Sequence, residues 1–259
     1  MQIGLIGCGN MARALARGWG RPLLCADPVA ERAGALAAEV GGEALATNAE
    51  VAERADLVVL CHKPAQLEDV AREVAPGAKA VASILAAVPL EVLRVAYPGR
   101  PVYRFIPSLP VEVRQGAVVQ AADGSAAGDG AGQDAALDAA VSELFAELGT
   151  LVELPDGLVD VAMGLMSCGP AYVALVAEAQ VDAGVRRGIP SAQGAELVVQ
   201  TLAGTAELLR RRGHDMVAVR REVTSPGGLT ARGLDALERA GLRSAFSEAL
   251  DAVLSDEAP

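Results

Sequence analysis

The sequence predicts an α/β protein: an N-terminal doubly wound, mostly parallel sheet, followed by an all-helical domain. Three observations predict it. Short apolar runs alternate with helical patterns of about 10–15 residues as far as residue 153, the order expected of βαβ units. From Asp156 onward only helical periodicity remains, which places the domains at 1–153 and 154–259. A Gly-x-Gly-x-x-Ala turn, Gly7 to Ala12, joins the first apolar run to the first helical one.

The elements follow in order. Residues 2–6 (QIGLI) read as a buried strand ending in glycines, and a helix covers about 10–20. Leu23 to Ala26 is a second strand, stopped by Asp27-Pro28. Helix follows over about 29–40 and ends at Gly41-Gly42. A weak strand lies near 43–46, and Asn48 caps a short helix at about 49–54. Asp56 to Cys61 is the clearest strand, and Pro64 opens a helix to about Glu73. Further strands are expected at 79–84, 101–105, 116–121 and 149–153. The last two flank a low-complexity stretch, DGSAAGDGAGQD, and a helix at about 134–148. The helical domain breaks at Gly188-Ile189-Pro190, Arg212-Gly213-His214 and Ser225-Pro226-Gly227-Gly228. Its longest stretch, about 156–187, is rich in alanine and valine almost all round, the pattern of a helix buried on most sides. So small a unit has little interior for it, so a partner subunit is expected.

Composition excludes several classes. The chain of 259 residues is 52% hydrophobic and 21% charged, which is incompatible with disorder. Its four cysteines, Cys8, Cys25, Cys61 and Cys168, are too few for a disulfide scaffold and form no C-x-x-C. With only His62 and His214, neither a metal site nor a histidine triad is expected. A net charge of −11 opposes binding to nucleic acid or an anionic membrane surface. No uninterrupted apolar run reaches the roughly 18 residues of a membrane span. The start, MQIGLIGCGN, has no basic n-region, and a cytoplasmic location is expected.

Four segments are candidates for chemistry. In the first, Gly7 permits a tight turn, Gly9 lets a pyrophosphate approach the backbone, and Ala12 lets helix and strand pack. The second is Asp27, 20 positions after Gly7, where a carboxylate can accept from ribose hydroxyls and repel a 2′-phosphate. An Asp-Pro turn without a ligand explains it as well. The third is His62-Lys63-Pro64, in a loop at the carboxyl end of a strand. There Lys63 can lie beside a cofactor, Pro64 can simply start a helix, and His62 reads as a loop residue without a role. The fourth is Thr224-Ser225-Pro226-Gly227-Gly228-Leu229-Thr230. Its helix start suits a small carboxylate, or is an ordinary turn with a Ser or Thr cap.

On these residues the chain resembles the pyrroline-5-carboxylate reductase family, from about residue 2 to 254. The most specific match is Ser225-Pro226-Gly227-Gly228-Leu229-Thr230, supported by GCGNMA, Lys63-Pro64, Val113-Arg114-Gln115-Gly116 and Gly169-Pro170-Ala171-Tyr172. The resemblance implies a Rossmann domain and a helical domain that interlocks with a second subunit, giving a homodimer or an oligomer of dimers. It implies hydride transfer from a reduced nicotinamide to the imine carbon of 1-pyrroline-5-carboxylate, giving proline. By it, Ser225, Gly228, Leu229 and Thr230 bind the substrate, with Thr230 as the catalytic hydroxyl. The cofactor contacts become Gly9, Asn10, Met11, Asn48, Lys63, Pro64 and Ala86, beside Gly7 and Asp27. NADH is the preferred cofactor on the strength of Asp27, with NADPH the alternative. No metal is expected.

The chain also departs from the family. Ser108 and Leu109 stand where an Asn and a Thr are common, and Met166 and Cys168 where two serines are common. Ser83-Ile84-Leu85-Ala86-Ala87 replaces S-I-A-A-G. A reductase of another imine, or a dinucleotide-binding sensor without catalysis, therefore remain as alternatives. A β-hydroxyacid dehydrogenase would need a catalytic lysine on the long helix, and residues 156–187 contain none.

Overall fold

The first apolar run forms β1 (Ile3–Ile6), buried along its whole length, and the glycine turn delivers the chain into α1 (Asn10–Trp19). Alternation continues through β2 (Leu24–Ala26), α2 (Ala30–Val40), β3 (Glu43–Ala44), α3 (Asn48–Arg54) and β4 (Leu57–Leu60). It resumes with α4 (Leu67–Val74), β5 (Val81–Ser83), α5 (Leu90–Ala96) and β6 (Val102–Pro107). Then come β7 (Gly116–Ala122), α6 (Ala135–Ala146), β8 (Gly149–Pro155) and α7 (Val159–Met166). This is a computed structural model, and it describes residues 1–122 and 135–255. The low-complexity stretch expected between β7 and α6 lies outside those residues.

The strands form one sheet in the order β3-β2-β1-β4-β5-β6-β7-β8. All pairs are parallel except β6 with β7. Helices cover both faces. One core joins Leu15 and Trp19 of α1, Leu36 of α2 and Phe145 of α6 to Leu5, Val59 and Phe105 of the sheet. The other joins Val51 of α3, Val74 of α4, Leu93 of α5 and Val159 of α7 to Ile6, Val58 and Val81. Trp19 donates its indole N–H to the Leu144 carbonyl at 2.9 Å and meets the Phe145 ring edge-on. After β1 the chain winds to β3 in one direction and from β4 in the other. That reversal leaves a crevice beyond the carboxyl ends of β1 and β4.

Several local expectations need correction. Thr47, not Asn48, caps α3: its hydroxyl accepts from the Glu50 amide while Glu50 accepts from the Thr47 amide. Asn48 is the first helical residue instead. The helix α5 has no signature in the sequence, because seven residues after Pro89 give too short a periodic pattern. The stretch 156–187 is not one helix. A short 3-10 turn (Asp156–Leu158) precedes α7, and the chain breaks at Ser167-Cys168 before α8 (Gly169–Val185).

The chain divides into two compact units, Met1–Pro170 and Ala171–Pro259. By compactness the division falls after α7, because Val159 is fully buried in the sheet's second core. The second unit holds most of α8, then α9 (Ser191–Arg211), α10 (Met216–Glu222), α11 (Leu229–Arg239) and α12 (Leu242–Leu254). No residue of α8 is buried in the single chain, and Val173, Leu175, Leu197 and Val199 are all more than half exposed. The expectation of a helix buried on most sides is therefore unmet within one chain. The segment Asp156–Val185 is also long and apolar enough by composition to cross a membrane. Counting uninterrupted apolar runs misses this, because Asp160, Glu178 and Asp182 interrupt it.

Gly18 tests how tightly the first unit is packed. A Cβ there would overlap the Val111 carbonyl oxygen and crowd Leu148. Alanine is the better helix former by about 1 kcal/mol, but a backbone oxygen cannot move aside as a flexible side chain can. Gly18→Ala is expected to destabilise by about 1–3 kcal/mol net. Chemical denaturation should show the lower midpoint, and an unchanged or raised midpoint would refute the close approach.

Candidate active site

The glycine turn is built around two different needs. Gly7 has φ +91°, and a Cβ on it would lie 2.9 Å from the peptide joining Cys61 and His62. Only glycine lets β1 end this close to β4. At Gly9 a Cβ would meet nothing within 4 Å. Gly9 is the N-cap of α1 and offers no side chain to the first-turn amides. These amides therefore face open space with the positive end of the helix behind them, a fit for a phosphate group. Ala12 is buried between α1 and the sheet.

Asp27 supports this turn directly. One carboxylate oxygen accepts from the Cys8 amide at 2.7 Å and the other from the Val29 amide at 2.8 Å. The residue therefore acts as a turn former, and it also lines the cleft.

The cleft has a volume of about 620 Å³ and runs along the carboxyl ends of β2, β1, β4, β5 and β6. Eight of the residues expected at a cofactor line it: Gly7, Gly9, Asn10, Met11, Asp27, Lys63, Pro64 and Ala86. Asn48 does not. Its side-chain amide donates to Glu73 at 2.8 Å, which ties α3 to α4. Arg32, Gln66, Ile84, Leu85, Ile106, Pro107, Met163 and Ser167 also line it. Arg32 stands beside Asp27 and Val29, so this end carries one charge of each sign. At the other end Ile84, Leu85, Ile106 and Met163 make an apolar wall. The strand-end rule points to Ile84, Leu85 and Ile106. Nothing in local sequence brings Met163 and Ser167 back from α7.

Burial opposes a charge on both His62 and Cys61. The His62 Nδ1 lies 2.9 Å from the Lys63 carbonyl, and burial holds the imidazole pKa below its usual value. Its Nε2 is buried without a partner among the described residues. Burial likewise pushes the Cys61 thiol well up, so it stays protonated. The charges left to act on a ligand are those of Asp27, Arg32 and Lys63.

The departures at the apolar end are also visible. The Ser108 hydroxyl donates to the Ala117 carbonyl at 3.1 Å and accepts from its amide at 2.9 Å, so it serves β7 and not the cleft. Leu109 is 47% exposed. Neither it nor Met166 nor Cys168 lines the cleft, whereas Ser167 does, its hydroxyl donating to the Pro107 carbonyl at 3.3 Å.

In the second unit, Ser225, Gly228, Leu229 and Thr230 gather at the start of α11. The N-cap is Gly228, and no side chain caps the helix, which removes the reading of an ordinary Ser or Thr cap. A Cβ at Gly228 would overlap the Ser225 hydroxyl, so glycine lets that hydroxyl lie over the helix start. Ser225 and Thr230 are exposed in the single chain, so the helix start is not buried there.

Comparison with known proteins matches both parts. The family described as "Pyrroline-5-carboxylate reductase dimerisation" matches residues 156–258, and "NADP oxidoreductase coenzyme F420-dependent" matches residues 2–87. The pyrroline-5-carboxylate reductase of Thermus thermophilus is 36% identical over 97% of this chain and 95% of its own. That of Synechocystis is 34% identical over the same shares. The solved 1-pyrroline-5-carboxylate reductase of Streptococcus pyogenes superposes with a TM-score of 0.86 at 28% identity, covering 98% of this chain and 96% of that one. With an open glycine turn in one unit and the Ser225–Thr230 helix start in the other, this chain belongs to the pyrroline-5-carboxylate reductase family.

Proposed function

We propose that this chain reduces 1-pyrroline-5-carboxylate to proline with a reduced nicotinamide dinucleotide, as a step of proline biosynthesis. The observation that carries the reading is identity of 34–36% across 97% of the chain to two enzymes bearing that name. The amides at the start of α1 bind the pyrophosphate, with Lys63 adding positive charge. Asp27 receives the adenosine ribose, and the backbone at Ala86 holds the nicotinamide end. The cofactor, when bound, supplies hydride. At the start of α11, Ser225, Thr230 and the amides of Gly228 and Leu229 hold the substrate carboxylate and imine nitrogen. Reduction of an imine needs one proton besides the hydride, and Thr230 or solvent delivers it, so no strong base is required. The protein's contribution is orientation in a largely apolar site.

Loss of absorbance at 340 nm with pyrroline-5-carboxylate tests the activity. Cofactor binding without turnover on a panel of imines would overturn it, and turnover of a different imine alone would reassign the substrate. Thr230→Ala is expected to lower turnover by about ten-fold or more, the scale of one lost hydrogen bond to a charged group. Affinity for reduced cofactor should stay near wild type. Unchanged turnover would remove Thr230 from the site.

We infer a preference for NADH over NADPH. A 2′-phosphate about 4–5 Å from the Asp27 carboxylate is repelled by roughly 1–3 kcal/mol after screening, ten- to hundred-fold in preference. Arg32 offsets part of this. Asp27→Asn removes the charge but keeps an oxygen for the Cys8 or Val29 amide, and should narrow the ratio of kcat/KM values. A wild-type preference for NADPH would leave Asp27 a turn residue alone.

The dimerisation-family match over 156–258, together with the exposed apolar side chains of α8 and α9, supports a homodimer or an oligomer of dimers. Light scattering should give an even-numbered assembly at micromolar concentration. A stable and active monomer would refute it.

A further inference from the structure

Arg104, on β6, is 1% exposed, and the cleft makes no use of its charge. Its Nη1 pairs with Asp156 Oδ1 at 2.8 Å, and its Nη2 pairs with Asp160 Oδ1 at 2.6 Å. Nη1 also donates to the Asp156 backbone carbonyl at 3.3 Å. Each carboxylate has a second task. Asp156 Oδ2 accepts from the Leu90 amide at 3.1 Å, and Asp160 Oδ1 accepts from the Ala87 amide at 3.3 Å. One buried cation thus holds both ends of the segment 87–90 through two acids.

That segment continues directly from Ile84, Leu85 and Ala86, which line the cleft. Ala87 has φ +55°, the left-handed region that an L-residue enters at an energetic cost. The hydrogen bond to Asp160 favours the conformation that the side chain disfavours. Asp160 lies on α7 three residues before Met163, which lines the cleft beside Ser167. Positions three apart share a helix face. The loop after β5 and the helix α7 are therefore referred to the same guanidinium.

We propose that Arg104, Asp156 and Asp160 form a positioning cluster that holds the Ile84–Ala87 loop in its left-handed turn and thereby shapes the cofactor wall of the cleft. The proposal rests on reading that cleft as the cofactor site. Arg104 and Asp160 act through the loop backbone and are positioning residues, touching neither cofactor nor substrate. The planar guanidinium suits this task because its fork engages two carboxylates at once.

The test is a mutant cycle on the full chain. It reads reduced-cofactor affinity by fluorescence and KM against kcat, with circular dichroism confirming folding. Asp160→Ala removes an acid that is partly exposed and leaves the Arg104–Asp156 pair in place. It is expected to weaken cofactor binding by about ten-fold, the scale of a hydrogen bond lost from a charged acceptor. Ala87→Gly in that background should restore most of the loss, because glycine adopts the left-handed turn without help. Ala87→Gly alone should stay within about two-fold of wild type, and Asp160→Asn, which keeps an acceptor for Ala87, should fall between. A merely structural ion pair predicts no rescue at residue 87. Unchanged affinity in Asp160→Ala, or loss that Ala87→Gly leaves in place, overturns the proposal. Gly9→Asp is measured alongside and should abolish binding. Normal cofactor binding by that variant would overturn the cleft reading itself, and the proposal with it.

Discussion

The contact between the carboxyl ends of β1 and β4 is the constraint on which the cleft depends. The chain reverses its winding between those strands, and the crevice forms only if they lie side by side. Gly7 makes that approach sterically feasible, since any Cβ would strike the peptide of Cys61 and His62. Gly9, two residues on, has no such neighbour and leaves its space for a ligand. The Asp27 carboxylate then holds the turn from β2 through the Cys8 amide. Three strands thus converge on one short loop, and the helix that follows points its unpaired amides into the cleft.

Charge is distributed by a similar economy. Most ion pairs here are exposed and contribute little to stability, because water and salt screen them. Arg104 is different. A buried guanidinium is tolerated only when acids and carbonyls surround it, and losing one partner leaves a charge uncompensated. Both of its acids also accept from backbone amides of the loop after β5. The loop can therefore carry alanine at a position whose φ suits glycine.

The second unit follows another logic. Its helices leave large apolar side chains exposed along α8 and α9. Exposed apolar surface of this kind favours burial against a partner, and the apolar contact must outweigh the repulsion between two copies that each carry a net charge of −11. The dimerisation-family match falls on this region.

Local sequence determined the alternation of strands and helices, the glycine turn and its ligand class, and the helical breaks at 188–190, 212–214 and 225–228. Those features rest on periodicity and on residues with special backbone freedom, which act over a few positions. Only the tertiary structure decided where side chains point and which distant segments meet. Ser108 turned toward β7 because the antiparallel pairing with β6 puts the Ala117 peptide against its hydroxyl. Asn48 went to Glu73 because α3 packs on α4, leaving the cap to Thr47. Helix α7 joined the first unit, bringing Met163 and Ser167 to the cleft, because Val159 found the sheet core while Asp160 and, in the turn before the helix, Asp156 found Arg104. Nothing near those residues in sequence encodes their partners. Burial of one valine and one guanidinium, some 55 positions apart, does.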